Sequence, residues 1–359
     1  MERIFGFAIL SFLITVILLI PFIDYLYKLK FQRQKQDTRD MFNKRTPVFD
    51  KYNAWKAGTP IGGGVLIIFV VTLLTLWSVG LFQVEVKLWE MLVLLFAFIG
   101  FGALGFYDDL KKILVNPKNK FFGLRFKHKF LIQWILGLII GAIFYYKLGY
   151  DFVYVHWFGD VSLGMFFIPF AAFVVVSFVN ACNITDGLDG LSSGVFLICL
   201  LAFLVIANSM LLDTFLGSFI AILMGSVLAF LYFNIWRGRL WLGDVGALAL
   251  GAVLAVIGLL TGKIGAVGVI CHRSWIFRFT DSIKKDFQKK AFSSSTSSFI
   301  FITKRLGRAK NCNASLVNRI YFCFAWSIYC VCNMNKLSIL LFGLTLLLSL
   351  IGIFILYES

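Results

Sequence analysis

Charged residues are scarce in this chain of 359 residues, in which only 14% are Asp, Glu, Lys or Arg and 60% are hydrophobic. The mean hydropathy of +0.88 excludes an ordinary water-soluble globular protein. Carboxylates are the rarer charge, with 18 Asp and Glu against 34 Lys and Arg. An ionisable group at the centre of a membrane span costs roughly 2.5–3.5 kcal/mol. Each carboxylate beside an apolar run is therefore a candidate functional residue.

Metal-binding cysteine and histidine patterns are also missing. None of the seven cysteines forms a Cys-x-x-Cys pair, and the three histidines are His128, His156 and His272. These spacings predict neither a zinc site nor a disulfide framework. The net charge of +16 does not predict a nucleic-acid partner either, because residues 271–336 alone hold 12 Lys and Arg against 2 Asp and Glu, which is 10 of the 16 net charges.

Long apolar runs dominate what the sequence does contain. Runs of about 17–25 residues are long enough to cross a bilayer, and lipid requires such spans to be helices. The sequence therefore predicts an all-α integral membrane protein with about ten transmembrane helices and no soluble domain. A further span begins near Ile264, and the others lie over 4–23, 61–80, 91–107, 130–147, 165–182, 191–209, 215–233, 241–261 and 337–357. We interpret the first span as an anchor rather than a cleaved signal, since no small-x-small site follows it.

Basic loops predict the orientation of these spans. The loop 24–60 holds nine Lys and Arg and the loop 108–129 holds seven, whereas 148–164 holds none. Because short loops rich in Lys and Arg stay in the cytoplasm, the N-terminus is expected outside. This orientation places five carboxylates on one cytoplasmic face and predicts a shared site there: Asp108, Asp109, Asp186, Asp189 and Asp244.

Three acidic motifs carry the predicted chemistry. Asp108 and Asp109 close a span, and paired carboxylates suit Mg²⁺, which binds one or two carboxylates together with substrate phosphate. The run 183–190 places Asn183, Asp186 and Asp189 three residues apart, which is one helix face if the run is helical. The alternatives are a solvated helix end for the pair and a simple turn for the run.

The third motif, Gly243-Asp244-Val245-Gly246, follows Asn234, Arg237 and Arg239, which places another acid beside hydrogen-bond donors for phosphate. The segment 56–64 contains Lys56, Thr59 and three consecutive glycines, and its backbone could cradle phosphate, with a plain turn as the alternative. Together the motifs predict phosphoryl transfer between a nucleotide-linked donor and a lipid acceptor at a membrane surface.

With these motifs, residues 1 to about 270 resemble the phospho-N-acetylmuramoyl-pentapeptide transferases, also called translocase I, of the polyprenyl-phosphate N-acetylhexosamine-1-phosphate transferase superfamily. The motifs that carry the resemblance are 56–64, 105–112, 180–190 and 243–251. It implies a ten-helix enzyme of the bacterial inner membrane that moves phospho-MurNAc-pentapeptide from UDP-MurNAc-pentapeptide to undecaprenyl phosphate, giving lipid I and UMP. The oligomeric state is left open between a monomer and a homodimer.

The resemblance also implies roles for individual residues. Asp108, Asp109 and Asp186 are the catalytic candidates, with Asp108 as the base on the lipid phosphate. Asp244 matches the Mg²⁺ ligand of the family. The substrate-binding candidates are Lys56, Thr59, Lys129, Asn183, Asp189 and Asn234.

Residues after about 270 depart from the family pattern. The family's Pro-x-His-His-His-Phe and Gly-Trp-Ala/Ser-Glu motifs are absent, and Arg273 and Arg278 interrupt the ninth span. We interpret 271–333 as read in a shifted frame, because codons for 305–314 can be chosen that read Gly-Trp-Ala-Glu-Pro-Lys-Ile-Val-Met-Arg one nucleotide later. The segment 334–359 is then an apolar span of uncertain origin. As printed, the chain lacks the family's histidines, which predicts little transferase activity; a natural divergent terminus is the alternative.

Two other functions fit parts of the pattern. A sister enzyme could transfer another sugar phosphate, such as GlcNAc-1-phosphate, to the same lipid. An ion-coupled transporter would also contain intramembrane acids, but these normally lie near the bilayer midplane in paired broken helices. Here the acids are predicted at span ends, and no internal repeat is visible.

Overall fold

The chain folds into packed membrane-length helices. The computed structural model describes residues 2–32, 58–82, 84, 86–114, 124, 126–155, 159–187, 189–208, 213–235 and 238–262. The helices within these ranges are α1 (Glu2–Lys28), α2 (Gly63–Phe82), α3 (Leu88–Leu114), α4 (Phe126–Leu148), α5 (Phe167–Thr185), α6 (Leu191–Ile206), α7 (Thr214–Asn234) and α8 (Gly243–Leu260).

Each of the first eight predicted spans matches one of these helices, so the all-α membrane fold class is confirmed. Within the described residues, seven helices are long and apolar enough to cross a membrane. The remaining one, α6, has 16 residues and rises about 24 Å. The predicted spans near Ile264 and over 337–357 lie outside the described residues, as do the segments 271–333 and 334–359.

Two local features differ from the sequence prediction. The third span was expected to end at residue 107, but α3 continues to Leu114 and carries the Asp pair within its helical turns. The loop 148–164 contains an antiparallel hairpin, with β1 (Phe152–Val155) paired to β2 (Gly159–Ser162). Hydropathy missed both features, because it follows apolar length and does not report the backbone hydrogen bonds of polar segments.

Helix α8 is the centre of the packing. Every residue from Val245 to Leu260 is buried, as expected for a helix that is apolar on all sides. It packs against α2, α3 and α5, while α1 packs on α7 and α4 packs on α5 and α3. At the end of α8 that lies away from the Asp pair, the Tyr150 hydroxyl donates a hydrogen bond of 3.0 Å to the Leu260 carbonyl.

Two glycine contacts set how closely α8 approaches its neighbours. A Cβ on Gly64 of α2 would overlap the backbone of Gly246, and a Cβ on Gly105 of α3 would lie 2.6 Å from Val245 Cα. Small residues allow such close backbone approach in membrane helices, where van der Waals packing stabilises association. As a result, the ends of α2 and α3 meet the first turn of α8.

Polar side chains hold α1 against α7. The Ser11 hydroxyl lies 2.8 Å from that of Ser226, and Thr15 lies 2.9 Å from the same Ser226 oxygen. Ser11 also donates to the Ile222 carbonyl at 2.6 Å. Hydrogen bonds of this kind contribute about 0.6 kcal/mol each between membrane helices.

Candidate active site

Three carboxylates and two lysines converge where α3 ends and α8 begins. Lys112 Nζ lies 3.1 Å from Asp108 Oδ2, 3.6 Å from Asp109 Oδ1 and 2.9 Å from Asp244 Oδ2. Lys129 Nζ, from the first turn of α4, lies 2.9 Å from Asp108 Oδ2 and also pairs with Asp244 Oδ2. The same two ammonium groups therefore bridge Asp108 and Asp244. We call these five residues the ionic cluster.

Helix geometry accounts for the part of the cluster that lies on α3. Lys112 follows Asp108 by four residues and Asp109 by three, and both spacings place side chains on neighbouring positions of one helix face. Gly105 lies one turn earlier and allows the backbone of Asp244 and Val245 to approach. The close helix contact therefore brings Asp244 within reach of Lys112.

Asp109 has a role that the sequence did not reveal. Its Oδ2 accepts a hydrogen bond of 3.2 Å from the Val245 backbone N–H, which belongs to the first turn of α8. A carboxylate at a helix N-terminus satisfies an unpaired N–H and interacts favourably with the helix dipole. Gly243 lies beside it with φ +76°, and a Cβ there would lie 2.6 Å from Asp109 Oδ2. Asp109 therefore caps α8 from the neighbouring helix.

Asp108 is held differently. Its Oδ1 accepts a hydrogen bond of 2.7 Å from the Leu124 backbone N–H, while its Oδ2 faces Lys112 and Lys129. Both Asp108 and Asp109 are almost fully buried, at 3% and 2% exposure. The two aspartates share Lys112, but only Asp108 pairs with Lys129 and only Asp109 accepts from the Val245 N–H, which separates their chemical roles.

The cluster offers hard oxygen donors suited to a divalent cation. Three carboxylates against two ammonium groups leave an excess of one negative charge when all are ionised. No group of three or more His, Cys, Asp or Glu within the described ranges is arranged as a ready-made metal cage. Mg²⁺ does not need one, since it binds through one or two carboxylates together with substrate phosphates. Asp244 and Asp108, already bridged by cations, fit that donor set.

The run 183–190 is half helix and half turn. Asn183 lies in the last turn of α5, whereas Asp186 caps that helix and its N–H donates to the Cys182 carbonyl at 3.0 Å. Because α5 ends at Thr185, the expected single helical face does not extend to Asp189. Asp189 Oδ2 instead accepts from the Gly238 N–H at 3.2 Å. That contact ties the turn to the segment that precedes α8.

Asn234 is buried and its amide is engaged with the protein. Its Oδ1 accepts from the Gly190 N–H at 3.0 Å and lies 3.4 Å from the Ser193 hydroxyl, while its Nδ2 donates to the Leu240 carbonyl at 2.9 Å. These bonds connect the end of α7 with the start of α6 and with the approach to α8. The geometry supports a role in holding these segments rather than in direct substrate contact.

The glycine-rich segment does not present a free phosphate cradle. The N–H groups of Gly62 and Gly63 donate to the Trp241 carbonyl at 3.1 and 2.9 Å, and Gly64 donates to Leu242 at 3.0 Å. These N–H groups are hydrogen-bonded in the strand-like pairing of this segment with 241–242. Thr59 is half-buried at the edge of this pairing, and Lys56 lies outside the described residues.

Lys112 is the cluster member that the sequence prediction did not assign. Its spacing from Asp108 was a visible signal, but Lys111 beside it was an equal candidate. The structure separates them, since Lys111 Nζ lies 4.6 Å from the centre of the Tyr107 ring and Lys112 turns toward the acids. Only the helix packing decides which lysine faces α8.

The chain is similar to known proteins over more than two thirds of its length. Residues 91–262 match the family described as glycosyl transferase family 4. The chain is 35% identical over 265 residues to the phospho-N-acetylmuramoyl-pentapeptide-transferase of Caldanaerobacter subterraneus subsp. tengcongensis, covering 72% of this chain and 76% of that protein. It is 35% identical over 267 residues to the enzyme of the same name from Bacillus pumilus, covering 73% and 76% of the two chains. It is 33% identical over 265 residues to that of Clostridioides difficile, with the same coverage of 73% and 76%.

Proposed function

Because the chain belongs to the phospho-N-acetylmuramoyl-pentapeptide-transferase family, we propose that it transfers phospho-MurNAc-pentapeptide from UDP-MurNAc-pentapeptide to undecaprenyl phosphate. The products are lipid I and UMP, as needed for peptidoglycan synthesis. The observation that carries this proposal is the ionic cluster at the ends of α3 and α8, within a chain built from membrane-length helices. Its position at a membrane boundary suits a soluble donor and a lipid acceptor.

The reaction exchanges one phosphorus–oxygen bond for another. An oxygen of undecaprenyl phosphate forms a bond to the sugar-linked phosphorus of the donor, and the bond from that phosphorus to the UMP oxygen breaks. UMP leaves with the electron pair, so the product is again a diphosphate. Asp108 is the proposed base for any proton on the lipid phosphate, because Asp109 is engaged in capping α8. Lys112 and Lys129 would bind phosphate oxygens and stabilise the charge that develops on them.

Mg²⁺ is part of the proposal. Asp244 would hold the ion. Asp108 pairs with the same Lys129 and would add a second negative charge beside the ion. When bound, the ion supplies charge neutralisation for the diphosphate. Asn183 and Asp186 lie at the C-terminal end of α5. We propose that both contact the donor.

The membrane orientation is proposed on the same basis. Basic loops flank the cluster end of α3 and α4, so this end is assigned to the cytoplasm of the bacterial inner membrane. That side holds the nucleotide-linked donor. The acids lie at helix ends rather than near midspan, which does not favour an ion-coupled transporter.

UMP release tests the proposal. Membranes that contain the chain are incubated with UDP-MurNAc-pentapeptide, undecaprenyl phosphate and Mg²⁺, with the printed chain and a frame-restored chain assayed side by side. Release of UMP that requires the lipid supports the function. Release from UDP-GlcNAc but not from UDP-MurNAc-pentapeptide would identify the sister enzyme instead, and release from neither donor by either chain contradicts the proposal.

A further inference from the structure

An amide pair, with Gln133 buried and Asn180 half-buried, lies between α4 and α5 below the ionic cluster. Asn180 Nδ2 donates to Gln133 Oε1 at 2.8 Å and to the Val176 carbonyl at 2.8 Å. Gln133 is 1% exposed. Within the described part of the chain, Gln133 Nε2 has no hydrogen-bond partner. The pair is therefore satisfied on one side and open on the other.

The orientation of the pair follows from its own contacts. The Asn180 atom near Val176 must be the nitrogen, since a carbonyl oxygen can only accept. That same nitrogen faces Gln133, which must then present its oxygen. The unpaired end of Gln133 is therefore its NH₂ group, with two N–H donors.

An unpaired amide inside a membrane protein is expensive. Leaving a buried donor unsatisfied costs free energy, whereas replacing both partners of a hydrogen bond by apolar groups of the same shape can be nearly neutral or stabilising. Polar groups kept within spans at such a cost usually serve a function. Stability alone does not account for Gln133.

The position of Gln133 indicates what that function is. It lies four residues after Lys129, so both occupy one face of α4, and Lys129 pairs with Asp108 and Asp244. Asn180 lies three residues before Asn183 on α5. The amide pair thus links the helix that carries a cluster lysine with the helix that carries the 183–190 motif.

Two further contacts of this helix pair are close approaches at glycines. A Cβ on Gly137 would lie 3.2 Å from Ala172 Cα, and one on Gly141 would lie 2.5 Å from the Ile168 carbonyl oxygen. Close contacts between small residues bring the backbones together but do not oppose sliding along the helix axis. A directional hydrogen bond one turn below the site does oppose it.

We propose that Gln133 is a positioning residue for the transferase reaction, which through Asn180 sets α4 and Lys129 against α5 and the 183–190 motif. This inference rests on the proposed function and adds a residue to it. The Gln133 NH₂ group, which has no partner among the described residues, is the structural cost of that arrangement. A displacement of about 1 Å at a reacting group can lower a rate by about 100-fold, so a small slide of α4 is sufficient to matter.

Two measurements, the rate of UMP release and the unfolding midpoint, separate a positioning role from a role in folding. Gln133→Leu removes the amide and keeps the approximate volume. In the purified full chain, its unfolding midpoint should stay close to that of the wild type. Loss of the unpaired NH₂ group offsets loss of the Gln133–Asn180 hydrogen bond, and Asn180 Nδ2 keeps its bond to the Val176 carbonyl. Its kcat for UMP release should fall at least about tenfold, with KM changed less than about threefold. Gln133→Glu keeps an acceptor for Asn180 and should retain more activity than Gln133→Leu.

Thr75→Val is the matched control. Thr75 is fully buried in α2, and its hydroxyl likewise has no side-chain partner within the described residues, but it lies about 16 Å along the helix from Gly64. This variant should keep both kcat and midpoint. Wild-type kcat in Gln133→Leu overturns the inference, and so does a midpoint that falls in parallel with activity.

A failure of the proposed function would give different results from a failure of the Gln133 inference. If neither the printed nor the frame-restored wild-type chain releases UMP, the proposed function fails, and the rise in unfolding midpoint on adding Mg²⁺ and UDP-MurNAc-pentapeptide becomes the readout for Gln133. A rise that Gln133→Leu reduces and Thr75→Val retains supports positioning. An equal rise in all three chains, or none in the wild type, overturns it.

Discussion

Asp244 is the residue on which the ionic cluster depends. One of its oxygens pairs with both Lys112 and Lys129, and its backbone lies against Gly105. Its identity as a candidate was readable from sequence, because acids are rare and this one follows a glycine at a span boundary. Its partners were not readable, since Lys112 and Lys129 are 132 and 115 residues away in the chain.

Asp244→Ala should abolish turnover. The substitution removes the proposed Mg²⁺ ligand and leaves two half-buried ammonium groups with less negative charge, so kcat should fall at least about 100-fold. UMP release at saturating substrate measures the change. Asp151→Ala, in the exposed loop after α4, serves as the control and should keep wild-type kcat. Retained activity in Asp244→Ala would refute the metal role.

Lys112→Met should destabilise the protein as well as inactivate it. Removing Lys112 leaves the buried carboxylates of Asp108 and Asp109 with one cation fewer. Because the Lys112 side chain is 23% exposed, the cost should lie below the roughly 3–5 kcal/mol of a fully buried pair. Denaturant unfolding in detergent measures the free energy of unfolding. Lys111→Met removes only a cation–π contact with Tyr107 and should cost less than about 1 kcal/mol. Equal losses for the two lysines would contradict the assignment of Lys112 to the cluster.

At the scale of elements, the arrangement of α2, α3 and α8 decides whether the site exists. Gly64 and Gly105 let two helices approach the first turn of α8, and Asp109 caps that turn. Hydropathy predicted each of these helices within a few residues. It did not predict that α3 continues to Leu114, because two acids and two lysines look like a loop in a hydropathy profile.

Gly105→Ala should impair the site through packing alone. The new methyl group would overlap the backbone of Asp244 and Val245, which must shift α8 away from Asp108 and Lys112. We expect kcat to fall at least about tenfold and the unfolding midpoint to drop, as overpacking costs about 1–3 kcal/mol. UMP release and thermal unfolding provide the two measurements.

Gly100→Ala supplies the comparison within the same helix. A Cβ there would lie 3.7 Å from Leu136 Cδ2, which is ordinary contact. Alanine also has the higher helix propensity, so this variant should be neutral or slightly more stable. A Gly105→Ala chain that matched Gly100→Ala in activity would show that the close α3–α8 contact is unimportant.

At the scale of the whole molecule, the sequence divides near residue 271. Before it, the motifs follow one family pattern, and the family match covers 91–262. After it, arginines interrupt an apolar run and the family's histidine motif is missing. The shifted-frame interpretation stays a prediction.

Resequencing the gene around codon 271 tests the frame. We expect a displacement of one nucleotide, with the restored frame encoding Gly-Trp-Ala-Glu at the position of 305–308. The restored chain should release UMP faster than the printed chain, because it regains the family's polar residues. An unbroken reading frame at that codon would contradict the shifted-frame interpretation.

The sequence by itself determined the eight helices of the described residues, the enzyme family and the acids at the span ends. These are local properties, since the cost of burying charge in lipid and the length needed to cross it act on each segment separately. Tertiary structure decided the rest. It selected Lys112 over Lys111, made Asp109 a cap and committed the glycine-rich N–H groups to Trp241 and Leu242. It also left the Gln133 NH₂ group without a partner among the residues that the structure describes. Each outcome depends on atoms of helices far apart in the chain, whose approach is set by side-chain size and packing rather than by hydropathy.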